Sequence, residues 1–169
     1  VFKADGSKEK IGTGSLDAEG KYSITLTGDY ASFTGPVYIK LANTVTHKNE
    51  ATDNEVAIGI DLYAIAVIGS GSNAININVQ TTIAYEDAGG STYKAIDKTA
   101  IDNANKLTKE ARGLDGEILT TRIDTINSKG DESGSKQAGY MAGALSGYGF
   151  TAAISEISAD IKDKGALDA

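Results

Sequence analysis

The chain has no cysteine and no tryptophan, and only one proline, one methionine and one histidine in 169 residues. Without cysteine there is no disulfide framework, no thiolate-held zinc or iron–sulfur centre and no thiol nucleophile. A Ser–His–Asp triad would have to run through His47, the single histidine, which lies in the polar stretch Thr46–Glu50 and reads as an exposed loop residue. Glu50 and Asp53 would give it only a sparse set of oxygen partners around a metal. Positive charge is also in short supply. Sixteen Lys and Arg face 23 Asp and Glu, for a formal charge of −7, and the acidic excess is spread through both halves. No basic stripe is available to neutralise phosphates, which excludes the usual nucleic-acid footprint, and no polybasic segment suits an anionic membrane. Long apolar runs are missing too. The richest, Val56 to Ile68, is broken by Gly59 and Asp61, so no membrane span is expected.

What is present is globular composition: 40% apolar residues, with 20 glycines punctuating the chain. The first half alternates with period two. Tyr22, Ile24 and Leu26 oppose Ser23, Thr25 and Thr27; Val37, Ile39 and Leu41 repeat the pattern, as do Val56, Ile58 and Ile60, and then Ile75, Ile77 and Val79. Leu62 to Ile68 is continuously apolar and reads as a strand buried on both faces. Asp17–Gly20 supplies a hairpin connection, and the only proline, Pro36, stands at a strand start where its missing N–H does least harm. The period then lengthens to about 3.6. Thr82–Ala88 reads as a short helix stopped by Gly89 and Gly90. Asp97 is an N-cap for a helix from Lys98 to Arg112, with Ile101, Ala104, Leu107 and Ala111 on one face and Gly113 as its stop. Further helices are expected over 136–148 and 151–163. The predicted fold is therefore α+β: an antiparallel Ig/transthyretin-like β-sandwich over 1–80, followed by a small helical subdomain over 81–169 packed on it.

Five blocks, in order, carry a resemblance. Thr13–Ile24 is similar to a "T-D-A-x-G-x-Y-S" hairpin, and Phe33–Ile39 to "Y-T-G-P-V" followed by an apolar residue. Val79–Ala84 resembles "V-T-P-L-T-x-L-A" with the proline replaced. Ala100–Leu114 resembles "A-I-x-x-A-N-x-x-V…G-L", and Asp160–Asp168 a "D-hydrophobic-x-D-G-x-L-D" tail. Together they resemble bacterial cell-envelope and secreted proteins that carry a transthyretin-like (carboxypeptidase-regulatory-like) sandwich followed by a helical region. The resemblance implies an extracellular or cell-surface location and an accessory or structural role without catalysis. It also implies a strand N-terminal to the position of Val1. The sequence begins at Val1, and this predicts an open sheet edge near residues 1–16 that another chain could fill.

Candidate sites follow from the residue types. Asp17 and Glu19 in one turn, and Asp160 and Asp163 near the tail, are oxygen ligands for a weak structural Ca²⁺, although none has EF-hand spacing; otherwise no cofactor is expected. The glycine pairs at 12/14 and 69/71 open no helix and are not dinucleotide fingerprints. Adjacent carboxylates such as Asp17/Glu19 or Glu86/Asp87 do not straddle a cleft as glycosidase chemistry requires. No enzyme activity is expected. Tyr22, Phe33, Tyr38 and Tyr63 fall on core strand positions, whereas Tyr140, Tyr148 and Phe150 flank a small-residue segment and suggest a contact surface. The leading expectation is a self-assembling surface filament joined by strand complementation. Its donor is either Val1–Ala4, with Val1 and Phe2 at the contact, or Glu117–Ile126, with Ile118 and Ile126 at its ends. The alternative is a glycan- or peptide-binding adhesion module of a larger envelope protein.

Overall fold

A computed structural model describes residues 1–17, 20–48, 55–92, 94–111 and 116–120. The strands are β1 (Phe2–Lys3), β2 (Gly12–Leu16), β3 (Tyr22–Leu26), β4 (Gly35–Leu41), β5 (Thr46–Lys48), β6 (Glu55–Ala57) and β7 (Leu62–Ile68); the helices are α1 (Val79–Asp87) and α2 (Lys98–Ala111). Every strand pair among the described residues is antiparallel. β1, β4 and β7 form one sheet in that order, and β2–β3 and β5–β6 are separate hairpins. The α+β character expected from the change of period is present. The predicted helices over 136–148 and 151–163 lie outside the described residues.

The three-stranded sheet buries both faces, as the alternation in β4 and the unbroken apolar run of β7 require. On one face Tyr38 and Ile65 meet Tyr85 of α1 and Ile101 of α2, together with Ala4 and Ile96. On the other, Val37, Ile39 and Ile68 meet Val1, Ile11 and the inward side chains Ile24 and Leu26 of β3. The β2–β3 hairpin thus covers the face opposite the helices. Four aromatic rings hold the helical side: Phe2 stacks on Tyr38 at 5.0 Å, Tyr63 stacks on Tyr85 at 4.4 Å, and Tyr38 tilts against Tyr85 at 5.6 Å.

Three local expectations change. Ile75, Ile77 and Val79 do not form a strand, because Asn78 caps α1: its side chain accepts from the Thr81 N–H at 3.0 Å while the Thr81 hydroxyl accepts from the Asn78 N–H at 2.8 Å. α1 therefore starts at Val79 and is buried from there to Tyr85. His47, read as a loop residue, pairs with Val56 in the β5–β6 hairpin. In α2 the Asp97 cap holds, its carboxylate accepting from the Ala100 N–H at 2.8 Å. Its buried stripe, however, runs Ile101, Ala104, Thr108, and Leu107 is 37% exposed. Leu107 lies about 120° around the helix from Ile101, at the margin of the face.

Buried threonines finish the sheet where α1 crosses it. The Thr81 hydroxyl donates to the Tyr63 carbonyl at 2.7 Å, and the Tyr63 N–H donates to the Thr82 hydroxyl at 2.9 Å. The outer edge of β7 is satisfied there by side chains of a helix rather than by another strand.

At the far end of β4 and β7, Asp61 joins Lys40 at 2.6 Å and accepts the Asn43 N–H at 2.9 Å. Partial burial pushes this carboxyl up, but the ammonium and the N–H outweigh it and hold it below its ordinary value. A carboxyl depressed on folding stabilises the fold above its unfolded pKa, near 4, and that contribution disappears as pH falls through the folded value. The unfolding midpoint is therefore expected to drop between neutral pH and about pH 3, and to drop less in Asp61→Asn. Equal acid losses in the two proteins, measured by thermal circular dichroism, would contradict this.

Candidate functional site: a strand edge beside a groove

The β2–β3 hairpin is set by its turn. The Asp17 carboxylate accepts the Lys21 N–H at 2.8 Å, and Gly20 takes the positive φ of 74° that a side chain would resist. The register pairs Thr13 with Thr25 and Ser15 with Ser23. The flanking bonds, Asp17 N–H to the Lys21 carbonyl and Thr27 N–H to the Ile11 carbonyl, fix which pairs exchange hydrogen bonds. In an antiparallel ladder these alternate, so Ser23 and Thr25 bond to β2 while the main-chain groups of Tyr22, Ile24 and Leu26 point away from it. They have no main-chain partner among the described residues.

That edge borders a groove of about 560 Å³. Its floor is apolar, from Val37, Ile39 and Ile68 of the sheet, and Phe33 and Ile75 close its sides. The stretch Gly69–Asn73 also lines it. Asn73 braces that stretch: its carbonyl accepts the Gly69 N–H at 3.1 Å, and its amide donates to the carbonyls of Gly69 at 3.2 Å and Gly71 at 3.0 Å. The Tyr22 hydroxyl donates to the Ile75 carbonyl and ties β3 to that residue. Burial raises the Tyr22 phenol above its ordinary pKa, so the ring stays neutral and a donor. Among the described residues no Asp, Glu, Lys, Arg or His lines the groove. It offers hydroxyls, main-chain groups and apolar surface, a set suited to receiving an extended uncharged segment.

The sequence-derived candidates fall elsewhere. Val1 and Phe2 belong to the fold itself. Phe2 pairs with Tyr38 of β4 on one side and bridges Lys10 on the other, the Ile11 N–H donates to the Val1 carbonyl at 2.9 Å, and the Val1 nitrogen donates to Gly12 at 2.9 Å. The open edge expected near residues 1–16 is thus filled over residues 1–12 by the chain's own pairing, and the edge beside the groove is that of β3. Ile118 is 2% exposed and packs with Ala84 and Ala104 between the two helices. The Asp17 carboxylate serves the hairpin turn. Glu19, Asp160, Asp163, Ile126, Tyr140, Tyr148 and Phe150 lie outside the described residues. Among the described residues no three of His, Cys, Asp and Glu gather as metal ligands, and no helix is long and apolar enough to cross a membrane.

Sequence reasoning found the β3 alternation but not the groove, whose walls are almost 50 residues apart in the chain. The signal available was the pairing of a neutral alternating strand with the neutral, asparagine-closed stretch Gly69–Asn73. The chain matches no protein-family model, and neither the curated proteins nor the solved structures hold a match to it.

Proposed function

We propose that this chain is a non-enzymatic structural protein of the cell surface or extracellular space, a subunit that joins other copies by accepting an extended strand along β3. The observation that carries this reading is the outward main-chain edge of Tyr22, Ile24 and Leu26 beside a groove of mixed apolar and hydroxyl lining with no charged side chain among the described residues. An added strand would gain ladder hydrogen bonds from that edge and place alternate side chains on the groove floor. A subunit that accepts at one site and donates from another does not close on itself, and repetition gives a filament. A hairpin laid over one face of a three-stranded sheet is compatible with a small transthyretin-like sandwich, and the likeness to envelope proteins supports the surface location.

The second reading is an adhesion module that takes a peptide of another protein on the same edge. A main-chain edge favours peptide over glycan, because it offers ladder partners at strand spacing. Sedimentation and negative-stain microscopy of the full chain separate the two readings. Wild type is expected to form polymers, and Ile24→Lys, which sets a charge in the groove, is expected to stay monomeric. Ala31→Trp, a substitution at an exposed lining residue, should block assembly without disturbing the core. A wild-type protein that stays monomeric at high concentration would overturn the filament reading and leave a peptide array to test the second.

A further inference from the structure

Resting on the strand-addition reading, we infer that the occupant of the β3 groove is the segment Thr121–Ile126 of a second copy of this chain. The described lining of the groove presents no charged side chain, so the inward positions of its occupant should be neutral. In 121–126 the odd positions are Thr121, Ile123 and Thr125, and the charges Arg122 and Asp124 fall on even positions. This is the period-two pattern of a half-buried strand, with one neutral face and one face for water. Thr121–Thr125 matches β3, Tyr22–Leu26, residue for residue in length.

The start of the segment decides which copy supplies it. The Leu119 carbonyl accepts the Asn76 N–H at 2.6 Å, and the neighbouring Ile75 carbonyl takes the Tyr22 hydroxyl. Within one chain only Thr120 stands between this anchor and the segment, and antiparallel pairing would require the segment to begin at the Leu26 end of β3. Every strand pair among the described residues is antiparallel. A second copy can enter from the Leu26 end and pair antiparallel, the slightly more stable arrangement. Ile118 and Leu119 stay anchored in their own subunit, packed against the α1–α2 interface. They would hold the base of each donated strand.

The test uses the full chain with two variants, Ile24→Lys in the groove and Ile123→Lys in the segment, their folding checked by circular dichroism. Each alone is expected to lose all species heavier than a monomer in sedimentation. Mixed in equal amounts they should form dimers and stop there, because one keeps only a working segment and the other only a working groove. The double variant Arg122→Ser, Asp124→Ser, on the water-facing side, should assemble as wild type does. If Ile123→Lys polymerises normally while Ile24→Lys does not, the segment assignment fails and strand addition stands. If wild type is monomeric and Ile123→Lys lowers its unfolding temperature, the segment fills its own groove and the second-copy assignment is overturned. If wild type and both variants are monomers of equal stability, both the inference and the function it rests on fail.

Discussion

Replacing Tyr85 by alanine is expected to cost about 3–5 kcal/mol of folding stability, a large share of the ~5–15 kcal/mol that holds a typical domain. Tyr85 is 1% exposed and is the largest fully buried side chain among the described residues. It lies where α1 meets the sheet, with Tyr63 stacked on it and Tyr38 tilted against it. Removing the ring deletes both aromatic contacts, each worth about 0.5–1.5 kcal/mol beyond area burial. It also leaves a cavity between elements that cannot collapse, because α1 is fixed to β7 by the Thr81 and Thr82 hydroxyls on Tyr63. Urea unfolding followed by circular dichroism should show the midpoint falling with little change of slope. A loss below about 1 kcal/mol would mean that the ring does not organise this core.

How much of this was legible in the sequence depends on how far each interaction reaches along the chain. The β3 strand and the start of α2 were read correctly because their causes are local: strict alternation over Tyr22–Leu26, and a carboxylate at Asp97 placed to cap Lys98 onward. The start of α1 was misread because Ile75, Ile77 and Val79 alternate like a strand, and the competing signal was a single Asn78–Thr81 pair. That pair forms a capping box with threonine where glutamate or glutamine is usual. The buried threonines of α1 look polar in sequence, and only the position of β7 shows why they are inside. The groove was invisible for the same reason. Its lining comes from β3, β4, the end of β7 and the stretch after it, and no local period records that they meet. The strand expected N-terminal to Val1 placed the open edge at residues 1–16. The pairing of Val1 and Lys3 with residues 9–12 closes most of that edge, and it does so through hydrogen bonds that no pattern of side chains announces.

Gly89 and Gly90 were read together as a helix stop, but they do different work. Gly89 takes a φ of 86°, which ends α1 and which other residues resist. Gly90 needs to be glycine for space. A Cβ built there would lie 2.1 Å from Cε2 and 2.3 Å from Cδ2 of Tyr85, far inside contact distance. The ring cannot turn aside, because Tyr63 is stacked on it at 4.4 Å. Gly90→Ala is therefore expected to destabilise by about 1–3 kcal/mol through overpacking, although alanine is normally the milder residue for an ordered backbone. The cause predicts a coupling. Once Tyr85 is alanine, the clash is gone, and Gly90→Ala should then cost less than about 0.5 kcal/mol or stabilise slightly. Tyr85→Leu, which keeps more of the core, gives a second background where the cost should be intermediate. The measurement is a double-mutant cycle of unfolding free energies. If the effects of Gly90→Ala and Tyr85→Ala simply add, the ring and the glycine are not in contact in the way described. The sensitivity of Gly90 would then have to come from its backbone alone.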